Sequence, residues 1–165
     1  MSLGKLTLFA GKMGAGKSTH SQRVAEQTNA VLISEDEWLG ALYPNQITSL
    51  NDYIRLSNVL KPQIKSLAQQ ILQTGSNVVL DYPANTVAQR TWLQTVFAEV
   101  GAPHELIYLE ASDAICLAHI EKRRVAQPHR QSTDTKAMFE AVTQHFVVPL
   151  ASEGFTITRI QVEDD

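Results

Sequence analysis

The sequence predicts an α/β fold of three layers, a five-stranded parallel sheet with helices on both faces. Three observations predict it. Short apolar runs alternate with helical segments in the order β-α-β-α-β-α-β-α-β, and strands joined through helices form parallel sheets covered on both sides. The first run leads directly into a glycine-rich loop and then a helix. A chain of 165 residues with 44% hydrophobic side chains fits one compact domain with a sizeable core, so residues 1–165 read as a single unit.

Lys5 to Ala10 is a short apolar run that reads as a buried strand. Gly11, Lys12, Met13, Gly14, Ala15, Gly16, Lys17, Ser18 and Thr19 follow it and fit the P-loop pattern G-x-x-x-x-G-K-[ST] at every fixed position. Residues without a Cβ let the main chain turn its N–H groups inward around phosphate oxygens. Lys17 is then placed to reach the β- and γ-phosphates, and the Ser18 hydroxyl to ligate Mg²⁺. Thr19 is expected to begin a helix whose N-terminal dipole faces the phosphates.

Ala30–Ile33 is the second strand, stopping at Ser34-Glu35-Asp36-Glu37. Ser34 and Glu37 have capping-box spacing, which puts Asp36 in the first turn of a helix running to Tyr43, with Pro44 ending it. Asp36 reads either as a carboxylate favoured by the helix dipole or as a catalytic base at the edge where the P-loop lies. From Ser49 to Thr74, apolar residues recur at spacings of three and four, the mark of a packed helix face. Pro62 predicts a kink there or two successive helices. Arg55, Lys61 and Lys65 on this segment read as solvated, with Arg55 able to line an acceptor site.

Asn77–Asp81 is the third strand. Asp81 is either a turn residue before Tyr82-Pro83-Ala84-Asn85 or a carboxylate that holds Mg²⁺ opposite Ser18. Thr86 and Gln89 give a second capping box, opening a helix that ends at Gly101, with Trp92 and Phe97 as core residues. His104–Glu110 is the fourth strand, and Ser112 or Asp113 caps the next helix. That helix ends in Glu121-Lys122-Arg123-Arg124, with Pro128-His129-Arg130 beyond. These cations suit a solvated helix C-terminus, or a short basic lid over residues 121–134 that supplies guanidinium groups during transfer. Asp134 is expected to start a last helix through Phe146, and Phe155–Ile160 to form the fifth strand.

Fourteen basic and 17 acidic side chains give a net charge of −3, so no global field favours nucleic acid or a membrane surface. The single Cys116, the absence of a leader pattern and the short apolar runs point to a cytoplasmic enzyme. The five histidines show no metal-ligand spacing, and no nucleophile triad is visible.

Along nearly its whole length the chain resembles the P-loop kinase branch of the P-loop NTPases. It is similar to the compact ATP-binding proteins grouped with zeta toxin, chloramphenicol phosphotransferase and the 5′-hydroxyl polynucleotide kinases. The resemblance implies ATP and Mg²⁺ as cofactors. It implies Asp36, in ISEDEW, as the residue that deprotonates the acceptor hydroxyl, and Arg123, Arg124 and Arg130 as lid arginines on ATP phosphates. Polynucleotide kinases carry an Arg one turn after that Asp, where Leu39 stands here. LDYPANTVAQ resembles the LDGFPRT-x-x-Q stretch of adenylate kinases, with Ala84 and Asn85 where the monophosphate-binding Arg would be. Both departures lower the nucleotide and nucleic-acid readings. The expectation is a phosphotransferase acting on a small-molecule hydroxyl. A nucleotide or polynucleotide kinase, or an ATPase switch with a protein partner, are the alternatives.

Overall fold

The structure, a computed structural model, describes residues 2–131 and 134–163, without the side chain of His129. Its elements run β1 (Leu6–Ala10), α1 (Lys17–Thr28), β2 (Val31–Ser34), α2 (Glu35–Leu42), α3 (Leu50–Gln73), β3 (Val78–Asp81), α4 (Val87–Ala98), β4 (His104–Glu110), α5 (Asp113–Ala126), α6 (Lys136–Thr143) and β5 (Ile157–Gln161). Short 3₁₀ turns occupy Pro128–Arg130 and Ala151–Glu153. All five strands are parallel, in the order β2-β3-β1-β4-β5.

Successive side chains of a strand point to opposite faces, so each strand feeds two cores. Leu6 and Leu8 of β1 pack with Leu80, Leu106 and the buried faces of α2, α3 and α4. Phe9 packs with Val79, Ile107 and Leu109 against α1, α5 and α6. The central strands carry no solvated face, which is why they read as continuous apolar runs.

The expected boundaries hold with instructive exceptions. α1 begins at Lys17 rather than Thr19, because Gly16 at φ 103° forms the cap and turns the chain straight from loop into helix. Thr86 and Gln89 make the full capping box, whereas at α2 only the Ser34 side chain's acceptance from the Glu37 N–H, at 3.4 Å, is seen. α3 is one continuous helix through Pro62. Leu56, Leu60, Ile64, Ala68 and Leu72 bury one face on both sides of the proline, and Pro62 lies on the exposed side, where water can take the lost backbone bond. α6 is capped by Thr135 and starts at Lys136, leaving Asp134 buried outside it. Phe146 lies past its end, beside Tyr108, and Phe155 is buried just ahead of β5.

Candidate active site

The loop after β1 is fixed from three sides. The Gly11 N–H donates to the Asn85 side-chain oxygen at 3.0 Å, and the His119 Nδ1 donates to the Gly14 carbonyl at 2.7 Å. Lys12 pairs with Asp113 at 2.8 Å. Gly14 has φ 84°, and a Cβ there would stand 2.5 Å from the Cys116 carbonyl, so α5 packs against bare backbone. Ala15 is buried, Met13 packs on the α5 core, and Ser18 and Thr19 remain exposed. The Lys17 amine folds back to donate to the Gly11 carbonyl at 2.7 Å.

The strand order aligns the three loops that matter. β2, β3 and β1 are neighbours, so Asp36, Asp81 and the P-loop lie along one edge, with Ser34 in register with Asp81. The Ser18 hydroxyl donates to Asp81 Oδ2 at 3.2 Å. Burial pushes the Asp81 carboxyl above its ordinary value, against the pull of Lys17, and the Asp36 charge raises it further. Burial likewise pulls Lys17 below an ordinary lysine, while Asp81 and then Asp36 push it back up. At both groups burial outweighs the mutual attraction of the opposite charges. Asp36 projects from the first turn of α2, largely exposed, and faces Arg130 at 4.0 Å. Leu39, one turn on, is buried in the core, so that position presents nothing to an acceptor phosphate.

Of the three arginines expected in the lid, Arg123 and Arg130 converge. Both reach the buried carboxylate of Asp134, Arg123 at 2.5 Å and Arg130 at 3.8 Å. Arg124 instead pairs with Glu121, one turn back on α5. Positions 132 and 133 of the expected lid lie outside the described residues.

Sequence reasoning missed Glu35, Arg90 and His119, and read Asp134 only as a helix start. Glu35 is buried beneath Asp36 and accepts hydrogen bonds from the Tyr53 hydroxyl and from Ser57, the latter at 2.6 Å. Burial raises its carboxyl above the usual glutamate value, opposed by those two bonds. The folded chain therefore holds this proton more tightly than the unfolded one. Stability from this group is greatest below the unfolded value and declines as pH rises through the folded one. Glu35→Gln should consequently melt higher relative to wild type at pH 7 than at pH 4, by about 2–4 °C per kcal/mol of ionisation cost. A melting-temperature difference that is flat or falls over that range would refute the shift. Arg90 is fully buried on α4, its Nε on Glu153 at 2.8 Å and its Nη1 on the carbonyls of Ala84 and Val147 at 2.8 and 2.9 Å. Lys61, expected to be solvated, lies over the Trp92 ring at 5.4 Å. Trp92, expected in the core, is only half-buried.

Among the described residues no three His, Cys, Asp or Glu side chains converge as a metal centre, and no helix is long and apolar enough to cross a membrane. The Ser18–Asp81 pair suits a divalent ion that arrives with phosphates, since it offers one hydroxyl and one carboxylate and leaves the other ligands open.

A phosphate loop closing the central strand, a carboxylate at the end of each of two neighbouring strands and converging basic residues define a P-loop kinase-like NTPase. Residues 6–149 match the model of the AAA domain family, AAA_33, and the chain belongs to it. The fold is similar to the Mycobacterium tuberculosis APS kinase CysC in complex with AMPPNP and APS, with TM-score 0.69, 18% identity, 100% of this chain and 92% of that one covered. It is similar to Chaetomium thermophilum Kti12 in complex with ADP-AlF₃, with TM-score 0.70, 15% identity and 97% and 90% coverage. A gluconokinase from Sinorhizobium meliloti 1021 matches with TM-score 0.63, 16% identity and 98% and 84% coverage. No curated protein sequence matches the chain.

Proposed function

We propose that the chain is an ATP-dependent phosphotransferase that moves the γ-phosphate to a hydroxyl of a small molecule, acting as one P-loop kinase-like domain. The observation that carries this reading is the Asp36 carboxylate, exposed at the end of β2, on the sheet edge shared with the P-loop and faced by Arg130. The nucleotide complexes of CysC and Kti12 support ATP as the donor, and the names APS kinase and gluconokinase support a small acceptor.

ATP with Mg²⁺ supplies the phosphoryl group and the divalent charge that shields it. The chain's residues do the rest. The amides of Gly11 to Thr19 and the Lys17 amine hold the β- and γ-phosphates. Ser18 and Asp81 hold the metal or its waters. Asp36 takes the proton as the acceptor oxygen bonds to the γ-phosphorus, the bond to the β,γ-bridging oxygen breaks and ADP leaves with that oxygen. Arg123 and Arg130, positioned by Asp134, meet the charge that spreads over the transferring group, with Arg124 in the same basic segment.

Asp36→Asn should lower transfer by about 10²–10⁴-fold, the usual worth of a positioned base, while Mg-ATP affinity measured by calorimetry changes little. Equal loss of both would remove Asp36 from the role of base. Acceptor-independent ADP release that survives the substitution would instead favour the ATPase switch.

A further inference from the structure

Between α3 and the segment that follows β3 lies a cleft lined by Tyr53, Ser57, Lys61, Tyr82, Gln89 and Trp92. It is a small cleft of about 60 Å³, room for a few water-sized groups and so for a compact ligand only. It adjoins the proposed transfer edge through the chain itself. Tyr82 follows Asp81 directly, and the Tyr53 and Ser57 hydroxyls on its wall donate to Glu35, the residue before Asp36.

Three features of the lining define what fits it. The aromatic rings of Tyr82 and Trp92 lie 5.4 Å apart at 41°, giving the cleft an apolar wall suited to C–H faces. The Tyr82 hydroxyl is buried and has no hydrogen-bond partner among the described residues. A buried hydroxyl in this state is a position that a water or a ligand group completes. Finally, among the described residues no arginine lines the cleft. Its one cation, Lys61, lies over the Trp92 ring, and the buried Glu35 charge acts on it. A phosphate or sulfate needs a fork of donors or several cations, and none is present. Hydroxyls, amides and ring faces are the chemistry that recognises hydroxyls on a carbon skeleton.

We propose that this cleft is the acceptor site and that its ligand is a small uncharged polyol or monosaccharide, one hydroxyl of which engages Tyr82. The assignment rests on the phosphotransferase reading above for its reaction but not for its binding. Once the ligand is seated, the Tyr82 hydroxyl fixes its orientation, the Gln89 side-chain amide meets a neighbouring hydroxyl, and the ring wall of Tyr82 and Trp92 meets its C–H face.

The test uses the full chain with Trp38→Phe, so that Trp92 is the remaining fluorophore. Glycerol, the four- to six-carbon sugar alcohols, the aldopentoses and aldohexoses are titrated against it, alongside their monophosphates, the aldonates and nucleoside monophosphates. The expected result is a saturable Trp92 signal with one neutral compound. Tyr82→Phe should raise its dissociation constant about tenfold and raise the acceptor KM without altering the KM for Mg-ATP. Tyr82→Phe removes only a hydroxyl that has no partner among the described residues, so folding is not at risk. Preference for a phosphorylated or carboxylate compound would overturn the acceptor class, as would neutral binding indifferent to Tyr82→Phe. Saturable polyol binding without acceptor-stimulated ADP formation would uphold the site and sink the phosphotransferase reading. Absence of any Trp92 response, with ADP formation stimulated by an acceptor, would sink the site and uphold that reading.

Discussion

Lys17→Ala should abolish acceptor-stimulated ADP formation, with a loss of at least about 10²–10³-fold, the scale for removing a single group that stabilises transition-state charge. The geometry explains why the effect falls on turnover rather than on the fold. The amine donates to the Gly11 carbonyl of its own loop, and burial lowers its affinity for a proton. Burial therefore disfavours this cation in the folded chain. Removing the ammonium relieves that penalty, so the melting temperature of Lys17→Ala should equal or exceed that of wild type. Activity within tenfold of wild type would show that Lys17 does not serve the phosphates. A large fall in melting temperature would mean that its bond to Gly11 is structural.

Arg90→Ala should have the largest effect on stability, about 3–5 kcal/mol, the cost of removing one partner from a buried charge pair. In a chain of this size that is roughly 10 °C in melting temperature. The guanidinium binds Glu153 and the carbonyls of Ala84 and Val147 at once. Lysine has one donor centre and cannot satisfy that planar set, so Arg90→Lys should recover little. The damage should also spread to the phosphate loop, because the Val147 N–H donates to the Asn85 carbonyl and the Asn85 side chain accepts from Gly11. Urea unfolding that shows a loss below 1 kcal/mol would refute this account.

The phosphate loop was legible because its function is local: nine consecutive residues supply the amides, the cap and the lysine, so spacing alone carries the geometry. Asp36 and Asp81 were legible as carboxylates at strand ends, since parallel strands deliver their C-terminal ends to one edge. What escaped were charged residues whose partners lie far along the chain. Glu35 meets Tyr53 and Ser57, and Arg90 meets Val147 and Glu153. A signal was nevertheless present. Glu35 stands one helical turn before the buried Leu39, and Arg90 falls in phase with Leu93 and Phe97, so both lie on apolar faces where charges are rarely left unless paired. Asp134 gave no such signal, because no periodic pattern surrounds it. Of the two readings at Pro62, the division into two helices does not occur: proline weakens a helix locally, but five buried apolar residues on one face hold α3 together.

The strand order also determines when the site can exist. β1 carries the phosphate loop, yet its two partners are the most distant pairings in the sheet, with Leu6 aligned to Val78 and to His104. β2 with β3, and β4 with β5, span shorter lengths of chain. During synthesis the first strand to emerge therefore waits until β4 has been made before it is flanked on both sides. Loop-closure entropy imposes the same delay on refolding from denaturant. Capture of a fluorescent nucleotide should thus appear only with the slowest folding phase, after the outer strand pairs have formed.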